Sequence, residues 1–334
     1  MLKLKNLNLK SSVFQSPMAG CTDLAFRLIA REYGMEMAYP EMISAEALVR
    51  QTKQTFDMMK TVPEDRPLGL QLVGSDPDRM AEAAQIVEGM GYDLVDVNIG
   101  CPVKKVTGQC AGSALLRDPD LAARIFQKMA KAVKKIPLSV KLQLGYNDPS
   151  GKEAIEVAQS AERAGFSSVA VHGRTRSQGY SGQANYDAIG RVKKALSIPV
   201  FGNGDVVNEK SARTLLAKSS CDGIMVGRGA LGNPWIYKLI NAVIENKPLP
   251  DPPTFEEKRK ALLKHFEYML IWEGERAILK MRRVGVWYFS GEPGVVRFRD
   301  RIQRCTENKE IRELIETFQP LPLDNESSSL EAVA

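Results

Sequence analysis

The sequence predicts an α/β fold, a closed (β/α)8 TIM barrel over residues 1–244 of a 334-residue chain. Three observations predict it. Eight short β-rich runs recur along the chain, and segments of helical periodicity with recognisable start and stop residues separate them. The strand ends also carry the unusual polar residues, as the shared mouth of a barrel requires. An open doubly wound sheet is the alternative, but it rarely needs eight regular units.

The runs are Val13–Ser16, Met37–Pro40, Leu68–Val73, Leu94–Asn98, Leu138–Lys141, Ser168–His172, Val200–Gly202 and Gly223–Val226. Each is short and rich in branched or apolar residues, the pattern of a strand buried on both faces. Helix starts between them are marked by Asp76-Pro77, Asp118-Pro119 and Asn233-Pro234, which offer an N-cap followed by an N1 proline, and by Ser44 and Asn208. Gly34, Gly91 and Gly165 are predicted to end helices in the left-handed conformation.

Polar groups close most of the runs: Pro17-Met18-Ala19, Glu41, Gln71, Asn98 with Cys101, Lys141, His172, Asn203-Gly204-Asp205 and Gly227-Arg228. The segment Asn98-Ile99-Gly100-Cys101-Pro102 puts an amide and a thiol three positions apart where a strand breaks on Gly and Pro. Both can then face one small ligand. A core cysteine in a turn would use the same letters.

The seventh and eighth strands open into glycine-rich loops whose backbone N–H groups can cradle a phosphate, with Arg228 supplying charge. Gly227-x-Gly229-x-x-Gly232 also spells a dinucleotide fingerprint. The acidic strand end that a Rossmann unit needs some 20 positions later is replaced by Asn246-Lys247-Pro248-Leu249-Pro250-Asp251-Pro252-Pro253, which rejects it. Two histidines cannot build a histidine-rich metal centre, and Cys101 with Cys110 lacks zinc-site spacing. A phosphate grip, a lysine, a histidine, a glutamine and a thiol suit flavin mononucleotide (FMN). Lys141 there would stabilise negative charge near the flavin N1 and C2 oxygen.

The chain resembles the tRNA-dihydrouridine synthase family, in its bacterial B-type branch, from about Phe14 to Leu321. The resemblance rests on Ser16-Pro17-Met18-Ala19-Gly20-Cys21-Thr22-Asp23, Gln71-Leu72, Asn98-Ile99-Gly100-Cys101-Pro102 with Lys104-Lys105-Val106, Gly112-Ser113-Ala114-Leu115-Leu116, His172-Gly173-Arg174-Thr175-Arg176 and Gly202-Asn203-Gly204-Asp205. It implies an FMN-bearing barrel, a C-terminal all-α helical domain, and NADPH-driven reduction of specific uridines in tRNA to 5,6-dihydrouridine. Cys101 becomes the catalytic acid, giving a proton to uracil C5 after hydride passes from flavin N5 to C6. The implied flavin contacts are Pro17, Met18, Ala19, Gln71, Lys141, His172, Asn203, Gly204, Asp205, Gly227 and Arg228. Asn98, Arg174 and Arg176 would lie near the target base. Two departures stand out: Gln143 replaces the arginine that many members carry two residues after the lysine, and Arg283-Val284 replaces a Lys-His pair before Trp287-Tyr288.

Charge supports a nucleic-acid partner. The net charge is +6, and the window 276–304 holds eight basic residues against two acidic ones, so it carries the whole excess. Clustered arginines with Trp287, Tyr288 and Phe298 interleaved read as a phosphate-backbone footprint, with Arg282 and Arg283 as candidate tRNA contacts. A solvated helix face would use the same composition. The expected organisation is a catalytic barrel over 1–244, a proline-rich linker over 245–254, a tRNA-binding domain over 255–321 and a flexible acidic tail over 322–334. No apolar run is long enough to span a membrane and no signal-peptide core is present, so a cytoplasmic protein is expected. Five cysteines argue against a disulfide scaffold, and His265 in an amphipathic helix is expected to be structural. The family suggests a monomer. The competing function is an FMN-dependent free-pyrimidine oxidoreductase of the dihydroorotate dehydrogenase sort, which would not need the basic segment. A non-catalytic RNA-binding protein on a flavin scaffold is the third.

Overall fold

The computed structural model describes residues 1–321, so the tail expected over 322–334 lies outside the described residues. The chain divides into two compact units, Met1–Ala230 with Trp235–Pro250, and Leu231–Pro234 with the chain from Asp251 onward.

The first unit opens with an antiparallel hairpin, β1 (Leu2–Leu4) and β2 (Leu7–Leu9). Eight parallel strands follow: β3 (Val13–Gln15), β4 (Ile43–Ser44), β5 (Gly69–Val73), β6 (Leu94–Ile99), β7 (Leu138–Gln143), β8 (Ser168–His172), β9 (Val200–Asn203) and β10 (Gly223–Val226), in the order β3-β10-β9-β8-β7-β6-β5-β4. The sheet curls shut through Met37 and Ala38, which bridge Phe14 on one side and Leu68 on the other. The expected second strand over Met37–Pro40 is therefore present only as two bridging residues. Pro40 has no N–H to donate, and pairing resumes at Ile43 and Ser44 against β5.

Helices connect the strands: α1 (Leu24–Glu32), α2 (Ala45–Val49), α3 (Lys53–Met58), α4 (Pro77–Gly89), α5 (Lys104–Thr107), α6 (Pro119–Ala132), α7 (Lys152–Arg163), α8 (Tyr186–Lys194), α9 (Glu209–Ser219) and α10 (Ile236–Ile244). Their ends follow local chemistry. Asp76, Asp118, Ser44 and Asn208 accept hydrogen bonds from first-turn N–H groups, and prolines occupy the first helical positions of α4 and α6. Gly34, Gly91 and Gly165 sit at φ of 88°, 77° and 93° just past helix ends. One start differs. The helix after Asn233-Pro234 begins at Ile236 with Trp235 at its N-cap, and Leu231–Pro234 belongs to the second unit.

The hairpin has no counterpart among the sequence expectations. Its Leu4 and Leu9 are fully buried with Phe14, Met37, Tyr39, Leu94, Ala170, Phe201 and Met225, and so close the barrel's floor. Lys5 and Asn6 fasten its turn to the carbonyls of residues 134–136, just before β7.

The second unit holds α11 (Phe255–Glu273), α12 (Ala277–Tyr288), α13 (Val295–Arg304) and α14 (Asn308–Thr317). A ring cluster of Phe255, Phe289, Phe298 and Phe318 forms its centre. Gly285 lets α12 approach α13: a Cβ there would lie 2.7 Å from Ile302 Cδ1. His265 is buried and bonds Tyr288 Oη at 3.0 Å, a packing role. Gly232 presses against the Trp287 carbonyl, where a Cβ would clash, so this glycine of the fingerprint-like run answers to helix packing.

Candidate active site

The C-terminal ends of β5 to β10 bring the reactive side chains to one rim. On β6, Asn98 is buried and uses both ends of its amide: Nδ2 donates to Gln71 Oε1 at 2.7 Å, and Oδ1 accepts from the N–H groups of Gly100 at 3.1 Å and Cys101 at 2.8 Å. The Cys101 carbonyl in turn accepts from Ser113 N at 3.2 Å and Ser113 Oγ at 3.0 Å. The thiol thus stands, partly exposed, on a turn pinned at both sides. Gly112 is needed here because a Cβ would come 2.8 Å from the Cys101 oxygen.

Gln71 is equally committed. Its Nε2 donates at 2.6 Å to Asp96, a carboxylate inside β6 that also accepts from Ser139 Oγ at 2.5 Å. Burial pushes the Asp96 carboxyl up to about 6, against the pull of Gln71, Ser139 and the Lys141 ammonium. Burial likewise brings Lys141 down to about 8, with Asp96 opposing the shift. His172 is driven to about 3 by burial and then by the charges of Lys141 and Arg174, so its imidazole is neutral at physiological pH. The register places Gln143 opposite His172. Gln143 Oε1 is a buried acceptor with no partner.

Beyond β8 and β9, Arg174 is buried and grips Asp205 with two bonds of 2.8 Å. It also donates to the carbonyls of Ser181 at 3.1 Å and Gly182 at 2.6 Å. Burial would raise the Asp205 carboxyl, yet the bonds from Arg174 and the Ala184 N–H outweigh it and hold it below the usual range. Gly204 and Asp205 lie at φ of 128° and 54°, two successive residues at positive φ in the loop after β9. Asn203 ties β9 to β10 through the Met225 carbonyl at 2.7 Å. Gly227 has open space beside it: a Cβ would meet nothing nearer than Asn203 Nδ2 at 3.8 Å and Met18 Sδ at 4.0 Å. Pro17, Met18 and Ala19 form the adjoining turn, closed by Thr22 Oγ1 on Met18. Arg228 is exposed and stacks over Tyr180 at 4.3 Å.

Arg176 and Arg117 lie on the Tyr146 ring, each 5.1 Å from its centroid. Sequence reasoning does not single out Asp96, Ser139, Arg117, Tyr146 or Tyr180. A charged residue inside the apolar run Leu94-Val95-Asp96-Val97 is the signal available for the first.

In the second unit Arg282 donates to the Cys305 carbonyl at 2.7 Å and has its Nε buried, so it braces α12 against the end of α13. Arg283 is exposed over Trp287 at 5.2 Å. Tyr288 and Phe298 are core residues. Arg297, Arg301 and Arg304 are exposed on one face of α13 and make no ion pair among the described residues.

The dihydrouridine synthase family model matches residues 14–321. A probable tRNA-dihydrouridine synthase of Rickettsia bellii is 38% identical over 98% of this chain and 100% of its own length. The tRNA-dihydrouridine synthase B of Pasteurella multocida is 37% identical over 95% of each. Among solved structures, a 2-naphthoyl-CoA reductase matches the fold with TM-score 0.55 and 14% identity over 74% of this chain and 52% of its own. A Pseudomonas geniculata amine oxidase matches with TM-score 0.56 and 14% identity over 73% and 49%.

Proposed function

The chain belongs to the dihydrouridine synthase family, an oxidoreductase family acting on a carbon–carbon bond, and on that premise we propose that it reduces uridines of tRNA to 5,6-dihydrouridine with FMN and NADPH. The observation that carries this reading is the pinned turn that holds the Cys101 thiol at the rim shared with Lys141 and His172.

The residues present fit FMN. The Gln143 acceptor lacks a partner, the space at Gly227 is open, and the Gly204–Asp205 pair suits a phosphate. Gln71, Lys141, His172, Asn203, Gly204, Asp205, Gly227 and Arg228, with Pro17, Met18 and Ala19, would hold it. Bound there, FMN supplies hydride chemistry to the pyrimidine 5,6 double bond.

The protein's own groups do the rest. Lys141 would supply positive charge to the flavin site and so favour negative charge there. His172, neutral, donates or accepts a hydrogen bond without adding charge. Asp205, held by Arg174, shapes the phosphate loop. Cys101 would deliver the proton of its thiol to the base. Arg176 and Arg117, with Tyr146, offer a cationic, stackable surface to a nucleotide. Arg283 and the exposed face of α13 contact tRNA phosphates. A base inside folded RNA must be turned out of its stack at a cost of about a few kcal/mol, which those contacts offset. The same reading places the enzyme in the cytoplasm as a monomer. No helix among the described residues is long and apolar enough to cross a membrane.

The test is to incubate the purified protein with unmodified tRNA and NADPH and map dihydrouridine. Yellow protein and position-specific dihydrouridine are expected. Turnover of free uracil or orotate with no reaction on tRNA would replace this reading with a free-pyrimidine oxidoreductase.

A further inference from the structure

We propose that Asp96 is a positioning residue for Cys101: because a carboxylate only accepts hydrogen bonds, it sets the orientation of Gln71, then of Asn98, and so the turn that carries the thiol. The proposal rests on the function proposed above in taking Cys101 as the proton donor.

The chain of bonds is continuous. Gln71 Nε2 donates to Asp96 at 2.6 Å, Asn98 Nδ2 donates to Gln71 Oε1 at 2.7 Å, and the Cys101 N–H donates to Asn98 Oδ1 at 2.8 Å. Every donor points toward Asp96. Gln71 and Asn98 carry amides whose two ends have nearly the same shape, so sterics alone leave both free to turn over. The direction is settled at both ends, by Asp96, which cannot donate, and by the N–H groups of Gly100 and Cys101, which cannot accept. If Asn98 turned over, its NH2 would face the N–H groups of Gly100 and Cys101, donor against donor, and the turn would open. Gln71 and Asp96 are 1% exposed and Asn98 is 7% exposed, so water cannot stand in for the missing bonds.

The groups facing Asp96 are Gln71 from β5, Ser139 and Lys141 from β7, and Tyr39 from the bridging segment after α1. Lys141 is the one cation among them, and it favours the ionised, accept-only form.

Exchanging the two side chains provides the test. In Gln71→Glu two carboxylates meet, and above neutral pH they repel. When the pair holds one proton, the protonated partner donates to the other, the repulsion ends, and the side chain at position 71 returns to its place beneath Asn98. In the double variant Asp96→Asn with Gln71→Glu, the amide introduced at position 96 donates to the new carboxylate, which accepts from Asn98 at any pH. Since a displacement of ~1 Å at a reacting group costs on the order of 100-fold, Gln71→Glu should lose about 10- to 100-fold in kcat on tRNA at pH 8. It should recover as the pH falls toward 6, whereas in the double variant this recovery at low pH disappears, its kcat standing in the same ratio to wild type at both pH values.

Alkylation of Cys101 by iodoacetamide, followed on its own peptide by mass spectrometry, gives a readout independent of turnover. It should be faster in Gln71→Glu at pH 8, where the turn is loosened, and return to the wild-type rate in the double variant. A double variant as impaired and as readily alkylated as the single one overturns the proposal, as does a single variant indistinguishable from wild type. If Gln71→Glu does not fold, the double variant, with its single carboxylate, still carries the test. A wild-type protein that makes no dihydrouridine would overturn the function instead, and the alkylation pattern would still report on Asp96.

Discussion

Replacing Arg174 with methionine should unfasten the loop after β9. The change removes two bonds of 2.8 Å to Asp205 and the bonds to the carbonyls of Ser181 and Gly182. Deleting one partner of a buried ion pair costs about 3–5 kcal/mol. The Asp205 side chain is 31% exposed, so water takes up part of the loss and the lower end, about 3 kcal/mol, applies. At about 2–4 °C per kcal/mol for a unit of this size, the melting midpoint should fall by ~6–12 °C. FMN should be lost on gel filtration. Arg174→Lys keeps the charge but not the two-pronged grip, and should lie between the two. The sign with pH follows from Asp205, whose carboxyl is held below its ordinary value. The contribution is complete above the ordinary carboxylate range near ~4 and disappears as pH falls through the lower folded value, so wild type and Arg174→Met should converge in strong acid. Thermal melts with and without added FMN measure this. A methionine variant that melts within about 1 °C of wild type and keeps its flavin would refute the reasoning.

Cys101→Ala should slow dihydrouridine formation by about 100- to 10,000-fold while NADPH still bleaches the flavin, which separates proton donation from reduction. Lys141 loses its proton as pH rises through about 8. Flavin reduction by NADPH should therefore slow above that pH, and stopped-flow traces of Lys141→Met should show no such decline. Alanine at Arg297, Arg301 and Arg304 should weaken tRNA binding and flatten its salt dependence, the slope of log affinity against log salt dropping by about 0.7–0.9 for each phosphate no longer neutralised. Asp65 is fully buried and paired with Arg27 and Arg31, each at 2.8 Å. Asp65→Ala leaves both guanidiniums without their carboxylate and should cost about 3–5 kcal/mol in denaturant titration.

Local chemistry makes much of the barrel legible. Aspartate before proline marks the starts of α4 and α6, and single glycines mark three helix ends, because those residues act on the backbone beside them. The hairpin escapes such reasoning although Leu2-Lys3-Leu4 and Leu7-Asn8-Leu9 alternate with period two. Three-residue strands gain their stability from a core that appears only when the barrel closes. Cys101 is visible through the break on Gly100 and Pro102. Asp96, two residues before Asn98, reads as part of an apolar strand. Its importance lies in which partners it meets, and those come from β5 and β7, far away in sequence. The arginines show the same limit. Composition locates a basic segment, but only packing tells Arg282, fastened to the carbonyl of Cys305, from Arg301, which faces solvent. Arg174 carries the same letter as Arg176 yet is saturated by its own loop.

The leucines of the amino-terminal hairpin make the barrel a well with one door. On the function proposed above, the reductant and the nucleobase share that door, and exchange through it in turn is expected. Steady-state kinetics with both varied should give parallel double-reciprocal lines.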